Sequence, residues 1–147
     1  MIAELICVGT ELLMGQIVNT DAQYIARSLA PSGIDMYHQV VVGDNPGRLT
    51  EAVQTALSRA DVVLFSGGLG PTDDDLTKET VSAALGKELV LFEDEWEKIQ
   101  SYFRGRNRTI APNNKKQACF RRTRSFCRIR TAPRRDVSLK KTARRRF

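Results

Sequence analysis

The chain has one histidine and three cysteines in 147 residues. Cys7, Cys119 and Cys127 stand at unrelated spacings that suit neither a zinc site nor a disulfide framework. His38 falls inside an apolar stretch that reads as strand, away from the loops, where an imidazole is a poor general base. No apolar run approaches the length needed to cross a bilayer, and no basic stretch leads into an apolar signal core at the N-terminus. A cytoplasmic protein with no membrane partner is the expectation. Two common phosphate-binding signatures are also missing. No Lys-Ser/Thr pair closes a glycine loop as in a P-loop, and no glycine spacing matches the dinucleotide fingerprint.

What the chain does have is a glycine-rich, acidic turn, Ser66-Gly67-Gly68-Leu69-Gly70-Pro71-Thr72-Asp73-Asp74-Asp75-Leu76-Thr77. It follows a short β-branched run, Asp61 to Ser66, of the kind that makes a buried parallel strand, and it opens a helical pattern over Thr77 to Leu85. Gly67, Gly68 and Gly70 allow backbone torsions and close approaches that a Cβ blocks, so main-chain N–H groups can face an anion at a helix start. Three successive carboxylates repel a phosphate unless a hard cation bridges them, and with no basic cradle in view this favours a metal-assisted site. The alternative is a tight turn whose aspartates only cap a helix. The loop by itself leaves both readings open.

A second strand-loop-helix unit lies at the N-terminus. Ile2 to Val8 reads as strand, Gly9-Thr10-Glu11-Leu12-Leu13-Met14-Gly15 as loop, and Asn19 or Thr20 caps a helix carrying Ala22, Ile25, Ala26 and Leu29 at helical spacing. Ile34 to Val42 reads as another strand. Asn45-Pro46 then opens a helix buried along Leu49, Val53, Leu57 and Ala60. Glu88 to Phe92 is a short strand candidate, and Glu93 to Arg104 a helix with Trp96, Ile99 and Phe103 on one side. Alternating strands and helices predict βα units with right-handed crossovers. Loops at the carboxyl ends of neighbouring parallel strands converge on one crevice, which would bring Glu11 and Asp73 to Asp75 to the same ligand.

Gly9-Thr10-Glu11-Leu12-Leu13 with Gly15 and Asn19, and Gly67 to Thr77, together resemble the signatures of the CinA (competence/damage-inducible) family, over roughly residues 1 to 118. The resemblance implies a three-layer α/β fold of the MoaB/Mog molybdopterin-binding type, with a mostly parallel sheet flanked by helices and the C-terminal part of the domain missing. It further implies a nucleotide or pterin phosphate ligand and a divalent-metal-dependent ADP-ribose pyrophosphatase activity. Glu11, Asp74 and Asp75 take the catalytic positions, and Asp74 and Asp75 would hold Mg²⁺ or another divalent cation. Gly9, Thr10, Ser66, Gly67, Gly68, Gly70, Thr72 and Thr77 would line the ligand. Asp73 matches a variable position. The amidohydrolase-like domain that CinA proteins usually carry has no counterpart here, and homo-oligomerisation is left open.

Charge is unevenly divided. Residues 1–118 hold 11 of the 23 Lys and Arg and 16 of the 17 Asp and Glu, a net of −5, whereas residues 119–147 carry +11. Such a basic, aperiodic tail suits disorder and nonspecific, salt-dependent binding to nucleic acid. A shifted reading frame accounts for it better. Loss of one base from a Met codon at position 119 regroups TG-TTT-CCG-GAG as TGT-TTC-CGG-AG, and reversing the shift over Ile129 to Arg135 recovers PNGTAP followed by glycine, the segment expected of a CinA protein. A fold deprived of that segment exposes sheet edges, so weak activity at most is expected. Reading the encoding DNA around codon 119 should show the single-base loss; an unshifted Cys codon in continuous family frame would refute it.

Overall fold

The computed structural model describes residues 1–122, with two short strands at 125–126 and 137–138. At its centre is strand β1 (Ile2–Val8), an apolar run in which every residue from Ala3 to Val8 is buried. Strands β2 (Asp35–Val42) and β3 (Val62–Ser66) flank it, both parallel to it, giving the order β2-β1-β3. Such continuous burial is what a central parallel strand covered on both faces requires.

Helices cover the two faces because the chain reverses its direction across the sheet. Helix α2 (Thr20–Leu29) connects β1 to β2, and α3 (Pro46–Arg59) returns over β1 to β3. Crossovers of one hand running in opposite directions lay their helices on opposite sides. On one face Ile6, Val8 and Val63 pack with Leu49, Val53 and Ala56 of α3 and with Val81 of α4 (Thr77–Ala84). On the other, Leu5 and Cys7 meet Ala22 of α2 and the half-buried Leu12 of the short helix α1 (Thr10–Leu13). Asn19 and Asn45 cap α2 and α3, accepting from the Ala22 and Arg48 N–H groups at 3.1 and 3.0 Å. Cys7 is a core thiol, as its place in β1 suggested; burial raises its pKa and it donates to Asn19 Oδ1.

The three-layer α/β architecture with a parallel sheet is thus present, with one departure from simple strand-helix alternation. Strand β4 (Leu89–Leu91) does not extend the parallel sheet; it pairs antiparallel with β5 (Cys119–Arg121). Its partner comes from beyond α5 (Glu93–Arg104) and the 3-10 segment Pro112–Ala118. Phe92 and the buried Phe120 pack beside this pair, ring centres 6.4 Å apart. Residues 119–121, assigned by charge to the basic tail, are therefore a paired strand. Strands β6 (Ser125–Phe126) and β7 (Val137–Ser138) pair with each other. The remainder of the expected cationic arm lies outside the described residues. Among the described residues no helix is long and apolar enough to cross a membrane.

The central strand carries a charge into the core. Glu4 of β1 is 1% exposed, and Arg59 at the end of α3 meets it with two hydrogen bonds, Nε to Oε2 at 2.8 Å and a terminal nitrogen to Oε1 at 2.7 Å. The forked geometry satisfies both carboxylate oxygens and ties the end of α3 to the sheet. Removing one partner strands a buried charge, whereas removing both does not. Arg59→Leu should therefore lower the thermal unfolding midpoint, and Glu4→Leu/Arg59→Leu should recover more than about half of that loss; a double variant as unstable as the single one would refute the pairing argument.

Candidate functional site

The β2-β1-β3 order makes the β1/β3 boundary a topological switch point, where connections from adjacent strands diverge to opposite faces and leave a crevice at the carboxyl ends. The two motifs singled out in the sequence leave from these two strands. Their exits adjoin, with Cys7 level with Ser66 in the ladder.

On the β1 side, the Gly9 N–H donates to the Val42 carbonyl at 2.9 Å, joining this exit to that of β2. Thr10 then turns back to the same strand end. Its N–H and hydroxyl donate to Asp44 Oδ2 at 3.0 and 2.8 Å, and the Asp44 N–H donates to Thr10 Oγ1 at 3.2 Å. Glu11 is exposed, with its carboxylate folded over Gly9, where a Cβ would come within 2.5 Å of Oε1.

On the β3 side, Gly67 crosses the end of β1 at φ +88°, and any Cβ there would overlap the Val8 carbonyl oxygen. Both the torsion and the contact demand glycine. The buried Thr77 then fixes the next two peptides: its hydroxyl donates to the Gly67 carbonyl at 2.9 Å and its N–H to the Gly68 carbonyl at 3.1 Å. No described peptide is cis, and in a trans peptide the N–H points opposite to the C=O. With both carbonyls turned toward Thr77, the Gly68 and Leu69 N–H groups are directed away from it.

Further along the loop, Asp75 is a staple. Its Oδ1 accepts from the Gly70 N–H at 2.8 Å, and its Oδ2 accepts from the Thr72 N–H at 2.9 Å and from the Thr72 hydroxyl. Burial works against ionisation of this carboxyl, but the Thr72 and Gly70 hydrogen bonds and the nearby Lys116 outweigh it and hold its pKa below the ordinary value. Asp73 and Asp74 are exposed.

Of the residues expected to line a ligand, Thr10, Ser66, Thr72 and Thr77 use their hydroxyls on the protein itself; Ser66 donates to Asp21 Oδ2 at 2.5 Å. Asp21 and Asp44 were not among the expected site residues, because each reads locally as a helix-start or turn residue. Nor was any basic group. Lys116, from the 3-10 segment, donates to the Thr72 carbonyl at 2.9 Å and to the Asp75 carbonyl, and lies 3.8 Å from Glu79. Lys78, in the first turn of α4, donates to the Lys116 carbonyl at 2.6 Å and sits 5.1 Å from the centre of the Phe120 ring. Its burial lowers its pKa, with Glu79 acting in the opposite sense. The acidic loop therefore does have basic neighbours. Sequence carried no signal for them, since Lys116 is 41 residues from Asp75.

Among the described residues, no three His, Cys, Asp or Glu side chains gather into a group that could hold a metal ion. The donor set fits Mg²⁺ only in its usual substrate-dependent mode, in which one or two carboxylates share the ion with phosphate oxygens. Of the two exposed aspartates, Asp73 and Asp74, the family resemblance assigns the cation to Asp74, and the Asp75 carboxylate has lone pairs left after its three hydrogen bonds.

A family model described as a probable molybdopterin binding domain matches residues 4–138. A CinA protein of solved structure from Thermoplasma acidophilum superposes with a TM-score of 0.81 at 30% identity, covering 92% of this chain and 79% of that one. This chain belongs to the CinA family of the molybdopterin-binding-domain group. MoaB of Thermus thermophilus, titled a molybdopterin biosynthesis enzyme, shares the fold with a TM-score of 0.55 at 21% identity, covering 67% of this chain and 62% of its own. A Bacillus pumilus protein named for competence-damage induction is 58% identical over 116 residues, which are 79% of this chain and 28% of that protein. The CinA-type domain here thus spans under a third of the curated relative it matches.

A carboxyl whose pKa is depressed by folding contributes stability above its unfolded value and loses that contribution as pH falls through its folded value. Asp75→Asn should therefore have a lower urea midpoint than the parent at neutral pH, with the gap closing as pH is taken below the ordinary aspartate value of 3.8. A gap that stays constant with pH would show that the staple does not depend on charge.

Proposed function

We propose that this CinA-type domain binds the diphosphate of a nucleotide or pterin at the β1/β3 switch point and, with a divalent cation, hydrolyses an ADP-ribose-like pyrophosphate weakly. One observation supports this above the others: Thr77 holds the Gly67 and Gly68 carbonyls inward, so two successive N–H groups, of Gly68 and Leu69, turn away from it at the mouth of the crevice. Paired main-chain donors of this kind are a recurrent phosphate cradle.

The chain's residues divide the work. The Gly68 and Leu69 N–H groups would take the phosphate oxygens and fix the reacting phosphorus. Glu11, exposed in α1, would accept a proton from an attacking water. Asp74, with Asp75 beside it, would hold the cation together with the ligand's own oxygens. That cation would supply charge neutralisation on the bridging and terminal oxygens. Asp75 otherwise keeps the loop in shape, and the four hydroxyls of Thr10, Ser66, Thr72 and Thr77 set the loops' positions.

A non-catalytic binding module is the second reading, favoured by the lack of a preassembled acidic metal cluster among the described residues. A third, nonspecific nucleic-acid binding through the basic tail, rests on residues outside the described set and would show a steep loss of affinity with salt. We place the protein in the cytoplasm, where such nucleotides occur, and read the basic run from residue 119 as the product of a shifted frame. ADP-ribose should bind in the presence of Mg²⁺, with turnover well below that of a full-length relative, and Glu11→Gln should reduce the turnover about 10²-fold. Binding with no turnover selects the module; no binding with or without Mg²⁺ overturns the site.

A further inference from the structure

We infer that Lys116 is a positioning residue for the phosphate loop, supplying from a distant segment the fixed positive charge that lets three consecutive aspartates stand beside an anionic ligand. The inference rests on the functional reading above and adds to it the origin of the loop's shape and charge balance.

The geometry is that of a brace. Lys116 Nζ donates to the Thr72 carbonyl at 2.9 Å and to the Asp75 carbonyl, the two ends of the acidic run, and lies 3.8 Å from Glu79 Oε1. Two carbonyls accept hydrogen bonds from the ammonium group, and the Glu79 carboxylate is an ion-pair partner beyond hydrogen-bond distance. The side chain is 20% exposed, so this charge is screened far less than one on the open surface. Its backbone is held in turn, because Lys78 donates to the Lys116 carbonyl at 2.6 Å and reaches the Cys119 carbonyl at 3.4 Å. Drawing the Thr72 and Asp75 carbonyls onto one cation turns the following peptide N–H groups, of Asp73 and Leu76, the opposite way. The same contacts set a positive charge against the backbone of the acidic run, where it favours the ionised Asp75 carboxylate; the run's summed negative charge otherwise opposes any phosphate. Lys116 does not contact the Gly68 and Leu69 donors, so its effect passes through loop position and local field.

Binding of inorganic pyrophosphate to the full chain, measured calorimetrically with and without Mg²⁺, tests this. Lys116→Met and Lys116→Gln should weaken metal-free binding roughly tenfold, Lys116→Arg should stay within about threefold, and the exposed neighbour variant Lys115→Met within about twofold. Amide hydrogen exchange should quicken at Gly70 and Thr72 in Lys116→Gln while the β1 amides keep their protection. If Lys116→Met fails to fold, the Gln and Arg variants decide. Equal affinity across all variants, or equal loss in Arg and Gln, overturns the inference while leaving the binding site standing. A parent chain that binds no pyrophosphate under either condition overturns both.

Discussion

The contact of Gly67 with the Val8 carbonyl is the constraint on which the site depends. Parallel neighbours β1 and β3 end side by side, and the chain leaving β3 passes over the end of β1 before it reaches α4, on the same face as α3. A residue with a Cβ at φ +88° would be strained and would also strike that carbonyl. Once this crossing is made, Thr77 can reach back to the Gly67 and Gly68 carbonyls, and the orientation of the following N–H groups is a consequence of peptide planarity. The direction of the Gly68 and Leu69 N–H groups at the switch point therefore results from strand order, one glycine and one buried threonine.

Charge in the loop is organised by the same economy of contacts. Asp75 spends its carboxylate on its own loop, where the Gly70 and Thr72 donors keep it ionised, while Asp73 and Asp74 face solvent. Three adjacent aspartates are thus chemically unequal. Lys116 and Lys78 link this loop to the 3-10 segment and to β5, so the small antiparallel pair of β4 and β5, outside the parallel sheet, bears on the site's shape. Glu11 and Gly9 repeat the device seen at Asp75 and Gly70, a carboxylate lying where a Cβ would have been.

Much of this was legible in the residues. The unbroken apolar run of β1, the helix-capping Asn19 and Asn45, and the buried stripe of Leu49 and Val53 reported elements and layers directly, since burial and capping are local and periodic demands. The glycine-acid loop was equally visible. The fate of β4 was not, because a three-residue strand carries no mark of its partner, and β5 lies 28 residues after it. Thr10, Ser66, Thr72 and Thr77 read naturally as ligand contacts, yet each hydroxyl has found a protein acceptor, local for Thr72 and for Thr10 and Ser66 one that only folding brings near.

From residues alone came the alternation of strand and helix, the family motifs, and the two loops at strand ends, all of which depend on local spacing and backbone preference. Tertiary structure alone decided which carboxylate is free, which main-chain donors face outward, and that Lys116 stands beneath the acidic run. Those outcomes depend on distances between segments some 40 residues apart, and a one-dimensional pattern holds no measure of such distances.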